Sequence, residues 1–262
     1  MTRRSFLLQA SAASSATMLS ATLLAKAQAP QAANIPNRDT VLKFNPDGTP
    51  RHFAGNTVIC HLLSQCVLRD VMVELHEAMK TSSFKSKLGL TSTDSYHMTV
   101  FPGANDLARN VYGWPSYVPA DATIERCNEM VGERIAAARF HCELPLRMRI
   151  DASATSNYST ALSLRLVPVD DAENRKLRAL RDELAEVFGF RTKDHATYQF
   201  HMTMSYQIGA FTAREQSDYR AMIGAYAPRM VKAAPVLELA CPEYCTFEDM
   251  FRFEPRKLLA CS

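Results

Sequence analysis

Tyr96-His97-Met98-Thr99-Val100 and Phe200-His201-Met202-Thr203-Met204 are nearly one word written twice, about a hundred residues apart. Each holds His-x-Thr with an aromatic residue before it, Met in the middle and an apolar residue after. The chain has seven histidines, so a single His-x-Thr carries little, whereas a matched pair with the same flanks is far less expected by chance. In an extended chain successive side chains alternate between faces. His97 and Thr99 therefore share one face of a strand, and Tyr96, Met98 and Val100 share the other. The same alternation sets His201 and Thr203 against Phe200, Met202 and Met204. Each word reads as a strand with an imidazole and a hydroxyl side by side, stiffened from behind by apolar packing.

Outward from the words, similar elements surround both. Before the first come a turn at Asn45-Pro46-Asp47-Gly48, a β-branched and apolar run from Thr57 to Leu63, and a helix from Val67 to about Phe84. The inner face of that helix is Leu68, Val71, Met72, Leu75 and Met79. The first word's strand, Ser95 to Phe101, is expected to close at Pro102-Gly103, and a helix follows from Ala122 to Ala138. Then come strands over His141–Asp151 and Ala161–Val169, separated by a polar turn from Ser153 to Thr160. A helix opening at Asp170-Asp171 carries Leu177, Leu180, Leu184 and Val187 on one face and stops at Gly189. The second word's strand spans Tyr198 to Ile208, followed by a helix from Thr212 to Tyr226 and one or two strands between Val236 and Leu259. Strands and helices in this order predict an α+β fold with largely antiparallel sheets and two similar lobes, one centred on each word.

The N-terminus reads as an export signal. Arg3-Arg4 stands directly before the stretch from Phe6 to Leu24, which Gln9 and many Ser, Thr and Ala residues make too polar for a membrane span. Ala25-Lys26-Ala27 is a small-x-small cleavage site, so residues 1–27 form a twin-arginine signal handled by the twin-arginine export machinery. Residues 28–40 read as a linker and 41–262 as the two-lobed domain, placed in the periplasm or secreted. An uncleaved helix tethering the protein to the membrane is the competing reading. Removing Arg3, Arg4 and Lys26 from 30 basic residues leaves as many as the 27 acidic ones, a formally neutral chain that argues against long nucleic acid or an anionic membrane as partner. The remaining chain is long enough for a substantial core without metal or disulfide help, and it is expected to act as a monomer.

Seven cysteines leave at least one unpaired within a monomer. Cys241-Pro-Glu-Tyr-Cys245 has the look of half a metal site, but no second pair matches it and no nearby histidine completes it. Structural thiols or an incidental disulfide are the expectation, and a redox pair usually has two residues between its cysteines rather than three.

Two strands carrying His97 with Thr99 and His201 with Thr203 would make a four-point cleft. Cleavage of a phosphodiester needs that set: a neutral imidazole to take a proton from water, a protonated one to donate to the leaving oxygen, and hydroxyls to steady the non-bridging oxygens. Only histidine supplies both forms near neutral pH. No metal and no cofactor are called for. Weaker candidates surround the four. Ser205 shares His201's face, and Tyr206 does so only if the strand bulges or ends. Arg149, with Arg147 and Arg165, is a candidate phosphate ligand from neighbouring strands. His195 is a candidate for the cleft rim, and Trp114 with Tyr117 for a lid, while Asp94 reads as a turn residue. His52, His61, His76 and His141 show no partner spacing.

His97-Met98-Thr99-Val100 and His201-Met202-Thr203-Met204 both satisfy the pattern His-hydrophobic-Thr-hydrophobic, once per lobe, and in this the chain resembles the two-histidine phosphoesterase superfamily, the LigT-like and cyclic phosphodiesterase-like proteins. The likeness is closest to little-characterised bacterial branches, specific at about eight residues and loose elsewhere. It implies a bilobal fold with pseudo-twofold symmetry, two mainly antiparallel sheets facing a central cleft, and helices outside. It implies metal-independent hydrolysis of 2′,3′-cyclic or 1″,2″-cyclic phosphates, or of 2′-5′ linkages, in small phosphodiesters or short oligonucleotides. By the same analogy His201 would be the base and His97 the acid. The reading from a different class is a non-catalytic periplasmic binding protein for a phosphorylated ligand.

Overall fold

A computed structural model describes residues 40–157 and 162–261. The expected signal and all of the expected linker but Thr40 lie outside the described residues. Thr40 opens the first helix. The strands are β1 (Gly55–His61), β2 (Leu88–Leu90), β3 (His97–Asn105), β4 (Leu146–Ile150), β5 (Ser163–Pro168), β6 (His201–Thr203), β7 (Ser205–Gln207), β8 (Leu237–Leu239), β9 (Glu243–Phe247) and β10 (Glu254–Leu258). The helices are α1 (Thr40–Lys43), α2 (Val67–Thr81), α3 (Arg109–Tyr112), α4 (Ile124–Ala137), α5 (Ala152–Asn157), α6 (Asp171–Phe188) and α7 (Ala213–Ala233).

Two four-stranded antiparallel sheets run β10-β9-β1-β3 and β6-β5-β4-β8. Each ends on the strand that carries its histidine, and those two edges, β3 and β6, adjoin. A third, two-stranded sheet pairs β2 with β7 and so ties the first half of the chain to the second. The expected α+β, two-lobed architecture is what the chain adopts, with this small bridging sheet in addition. Helices cover the outer faces: α4 lies against β1, β9 and β10, and α6 against β3, β4 and β5.

One apolar core runs behind both large sheets. Tyr96, Met98, Val100, Phe200, Met202 and Met204 all enter it at 2% exposure or less, as the alternation along each word requires. α2 buries the five predicted residues, and α6 buries Leu177, Leu180 and Leu184 while Val187 stays partly exposed. Asp170 caps α6 by accepting from the Glu173 amide at 2.8 Å, and Gly189 ends it at φ 73°, where a β-carbon would be strained. Arg181, fully buried on α6, donates to the Val100 carbonyl at 2.5 Å and the His195 carbonyl at 3.4 Å. A second, smaller apolar cluster lies on the cleft side of the first sheet and includes Phe44, Phe53, Ile59, Phe247 and Phe253.

The differences from the sequence reading have local causes. β3 does not close at Pro102-Gly103 but runs through to Asn105, because an edge strand tolerates a residue without an N–H and its register with β1 shifts there. α7 continues past Tyr226 to Ala233 despite Pro228. Ser153–Asn157 lie in α5 rather than in a turn, and residues 158–160 of that expected turn lie outside the described ones. The C-terminal region forms three strands rather than one or two.

Gly103 shows what the register shift demands. A β-carbon there would stand 2.2 Å from Oδ1 of Asn56 and 2.3 Å from its carbonyl oxygen, while that Oδ1 accepts from the Ala104 amide at 2.9 Å. Gly103→Ala is expected to destabilise the fold by about 1–3 kcal/mol, the usual cost of overpacking. Gly224→Ala, whose β-carbon meets nothing within 4 Å, should not. Urea unfolding of both variants checks this, and an unchanged midpoint for Gly103→Ala would rule out the close contact as the reason for glycine.

Candidate active site

Both histidines stand at the first residue of their strands and on the cleft side, so the adjoining edges bring them to one cavity of about 500 Å³. Thr99 and Thr203 line the same cavity. The two imidazoles are held alike. Nδ1 of His97 lies 2.5 Å from the carbonyl oxygen of Ser95, and Nδ1 of His201 lies 2.8 Å from that of Gln199, two residues back in each case. A carbonyl oxygen only accepts, so each Nδ1 carries the hydrogen. That leaves Nε2 on each ring to exchange a proton with whatever occupies the cleft. The Thr203 hydroxyl lies 3.1 Å from that of Ser163, its register partner on β5, and Tyr198 lines the cavity together with Thr99.

The second strand does not stay regular, and this decides between Ser205 and Tyr206. The amides of Met204 and Ser205 both donate to the Leu162 carbonyl, at 2.8 and 3.3 Å, a bulge that separates β6 from β7. The extra residue reverses the alternation. Tyr206 thereby joins His201 on the cleft side, and Ser205, fully buried, takes a bond from the Leu162 amide at 3.4 Å instead of facing the cavity.

Arg149 lies opposite Val167 in the middle of the second sheet, exposed, and is not part of the cavity wall. Arg147 is drawn aside to Glu173 at 3.4 Å. Arg165 is the register partner of His201 and bears on it electrostatically. His195 is not on a solvated rim: it is buried, with Nε2 2.9 Å from the Asp182 carboxylate. Trp114 and Tyr117 form no lid, since the indole N–H donates to the Pro119 carbonyl and the Tyr117 hydroxyl to that of Val187. Asp94 is an exposed turn residue paired with Arg69.

Sequence reasoning missed the aromatic side of the cavity and the two lysines, Lys43 and Lys193, that line it. Phe253, from the β9–β10 connection, packs its ring 4.2 Å from that of His97. Lys43, at the end of α1, points its ammonium into the cavity from among Phe53, Tyr112 and Tyr206, with ring centres 5.2, 6.0 and 5.0 Å away. No periodicity or motif marks either residue.

The electrostatics favour neutral rings. Burial drives His97 from the usual 6.5 down to about 3, with His61, His201 and Lys43 adding to the effect and the Ser95 carbonyl opposing it. Burial also lowers His201, helped by Arg165 and Lys43 and opposed by the Gln199 carbonyl and Asp194.

Residues 43–159 match the model of a family described as 2H-phosphodiest, a domain of unknown function (DUF1868). The match contains the first word and stops short of the second. A solved structure of a conserved protein of unknown function from Agrobacterium tumefaciens is similar over 85% of this chain and 92% of its own, with a TM-score of 0.75 and 26% identity. No curated protein matches. The likeness to the 2H-phosphodiest family thus covers the part of the chain that holds His97 and Thr99, and the likeness of fold to the Agrobacterium protein extends over both words.

Proposed function

We propose that the protein hydrolyses a small phosphodiester, a 2′,3′-cyclic nucleotide or related cyclic phosphate or a 2′-5′ linkage, by general acid–base catalysis between His97 and His201 without a metal. One observation carries the reading: two imidazoles in one cavity, each fixed through Nδ1–H by the carbonyl two residues back, each beside a threonine hydroxyl. One Nε2 takes a proton from water as its oxygen attacks phosphorus, and the other, protonated, donates to the departing oxygen. Thr99 and Thr203 donate to the non-bridging oxygens as charge grows on them, and Lys43 adds a positive field. Phe253 and Tyr112 offer an apolar wall to a sugar or base. A cavity of this size takes a mononucleotide or a short oligonucleotide end. The reading of Arg3-Arg4 and the following stretch as a twin-arginine signal supports an activity in the periplasm or outside the cell.

His97 is the ring that burial drives to about 3, so it is the one held neutral, and we assign it as base and His201 as acid, the reverse of the analogy. An acid needs a proton that burial of the His201 ring disfavours. A bound phosphodiester supplies the missing negative charge and raises the pKa of the ring beside its leaving oxygen.

His97→Ala and His201→Ala should each lower kcat on 2′,3′-cyclic nucleotides by roughly 10²-fold or more, the scale of a lost acid or base. Arg149→Ala should leave kcat within a few-fold. Turnover should persist in chelator, and loss of activity restored by added metal would remove the metal-free mechanism. Binding of the nucleotide without turnover would favour the binding-protein reading.

The pH profile has a fixed sign. The base must be deprotonated, so rate falls below its pKa, and the acid must be protonated, so rate falls above its own. Both rings are lowered in the free protein, so the bell of kcat/KM should lie on the acid side of 6.5. The anion raises the acid, so the alkaline limb of kcat should stand at higher pH than that of kcat/KM. The opposite order would refute the substrate-supplied charge. Nitrogen-15 spectra of the free protein at pH 5 should show His97 neutral with its hydrogen on Nδ1, and an imidazolium at that pH would contradict the burial argument.

A further inference from the structure

Beside the proposed catalytic pair, with the His61 ring 6.4 Å from that of His97, three side chains distant in sequence converge on the cleft-side face of the first sheet. Glu243 and Cys245 are two residues apart on β9 and share a face, and His61 ends the neighbouring strand β1. Nδ1 of His61 lies 2.8 Å from Oε1 of Glu243, and the donor atoms of all three residues lie within 4.8 Å of one another. Cys245 is fully buried, while His61 and Glu243 keep partial access to solvent through side chains 24% and 18% exposed.

We propose that His61, Glu243 and Cys245 form a binding site for a zinc-class divalent cation. The donor set is imidazole, carboxylate and thiolate, which suits zinc or cobalt and disfavours magnesium and calcium, whose ligands are oxygens. Bonds of about 2.0 Å to nitrogen and oxygen at a tetrahedral angle put those two atoms about 3.3 Å apart, and a bond of about 2.3 Å to sulfur puts it about 3.5 Å from each. The His61–Glu243 separation has to open by about half an ångström from 2.8 Å, and the sulfur has to draw in from a spacing of at most 4.8 Å. Side-chain rotation supplies movements of that size. Carboxylate and thiolate together balance a divalent charge, so the filled site is neutral where the sheet meets its apolar cluster. Burial pushes the Cys245 thiol well up, so the proton leaves only as the ion arrives, and any proton on His61 Nδ1 leaves with it. The three donors leave a fourth position for water, as in open zinc sites.

The test uses the full-length domain with reduced thiols. Titration with Co²⁺ should give one ion per chain, with the near-ultraviolet charge-transfer absorption of a cobalt–thiolate bond, and Zn²⁺ should abolish it. Affinity should fall as pH drops, because protons compete for the donors. Cys245→Ser should lose the charge-transfer band, and His61→Gln should weaken binding by tenfold or more. Cys241→Ser, Cys261→Ser and His201→Asn should leave both unchanged. Should Cys245→Ser not fold, zinc protection of Cys245 in the unaltered protein, read by alkylation and peptide mapping, decides the same point. No thiolate band, no protection of Cys245, or a band that survives Cys245→Ser and vanishes in Cys261→Ser would each overturn the site.

Discussion

The two histidine strands depend on a buried cation. Arg181 reaches from α6 to the Val100 carbonyl on β3 and to the His195 carbonyl on the segment leading to β6, so one guanidinium is bonded to both lobes. Burial lowers its pKa to about 10, and among the described residues no carboxylate is hydrogen-bonded to it. Its charge is offset by the two carbonyl dipoles, by Asp194 and Asp182 at longer range, and by the faces of Tyr198 and Phe101, whose ring centres lie 4.1 and 5.7 Å from it. A buried charge held this way tolerates little displacement, because losing either carbonyl leaves a desolvated group without a partner. The edges β3 and β6 are thereby held in a fixed relation, and with them the spacing of the two imidazoles.

Much of this organisation was legible because it depends on alternation and periodicity. The faces of the two words, the inner face of α2 and the ends of α6 follow from neighbours in sequence, where spacing of two or between three and four residues translates directly into a face. Tyr206 marks the point at which that reasoning stops. Its position turns on a bulge made at Leu162, the residue just before β5, whose carbonyl accepts from two successive amides. Nothing within Tyr198–Ile208 announces it, yet it exchanges Ser205 for Tyr206 in the cavity.

Lys43, Phe253 and the His61–Glu243–Cys245 group were illegible for a different reason. Lys43 is brought to the cavity by the packing of α1 against Phe53, Tyr112 and Tyr206, and the others by the order of strands in the first sheet, which places the C-terminal β9 beside β1. His61 has no partner in its own stretch of sequence because its partner stands 182 residues later. Cys245 looked paired with Cys241, but Cys241 bonds the Leu259 carbonyl at 3.2 Å while Cys245 packs in the cleft-side cluster. Sheet order is a property of the whole chain, and local spacing does not encode it.

The same order breaks the symmetry that the repeated words suggest. His97 has His61 as its neighbour across the register and Phe253 against its ring, whereas His201 has Arg165 across the register and Asp194 within electrostatic reach. Equal motifs therefore sit in unequal surroundings. An acid and a base must differ in proton affinity while keeping the same geometry, and a duplicated scaffold with different linings meets both demands. Its backbone fixes the two rings alike, through Ser95 and Gln199, and the neighbouring strands set them apart.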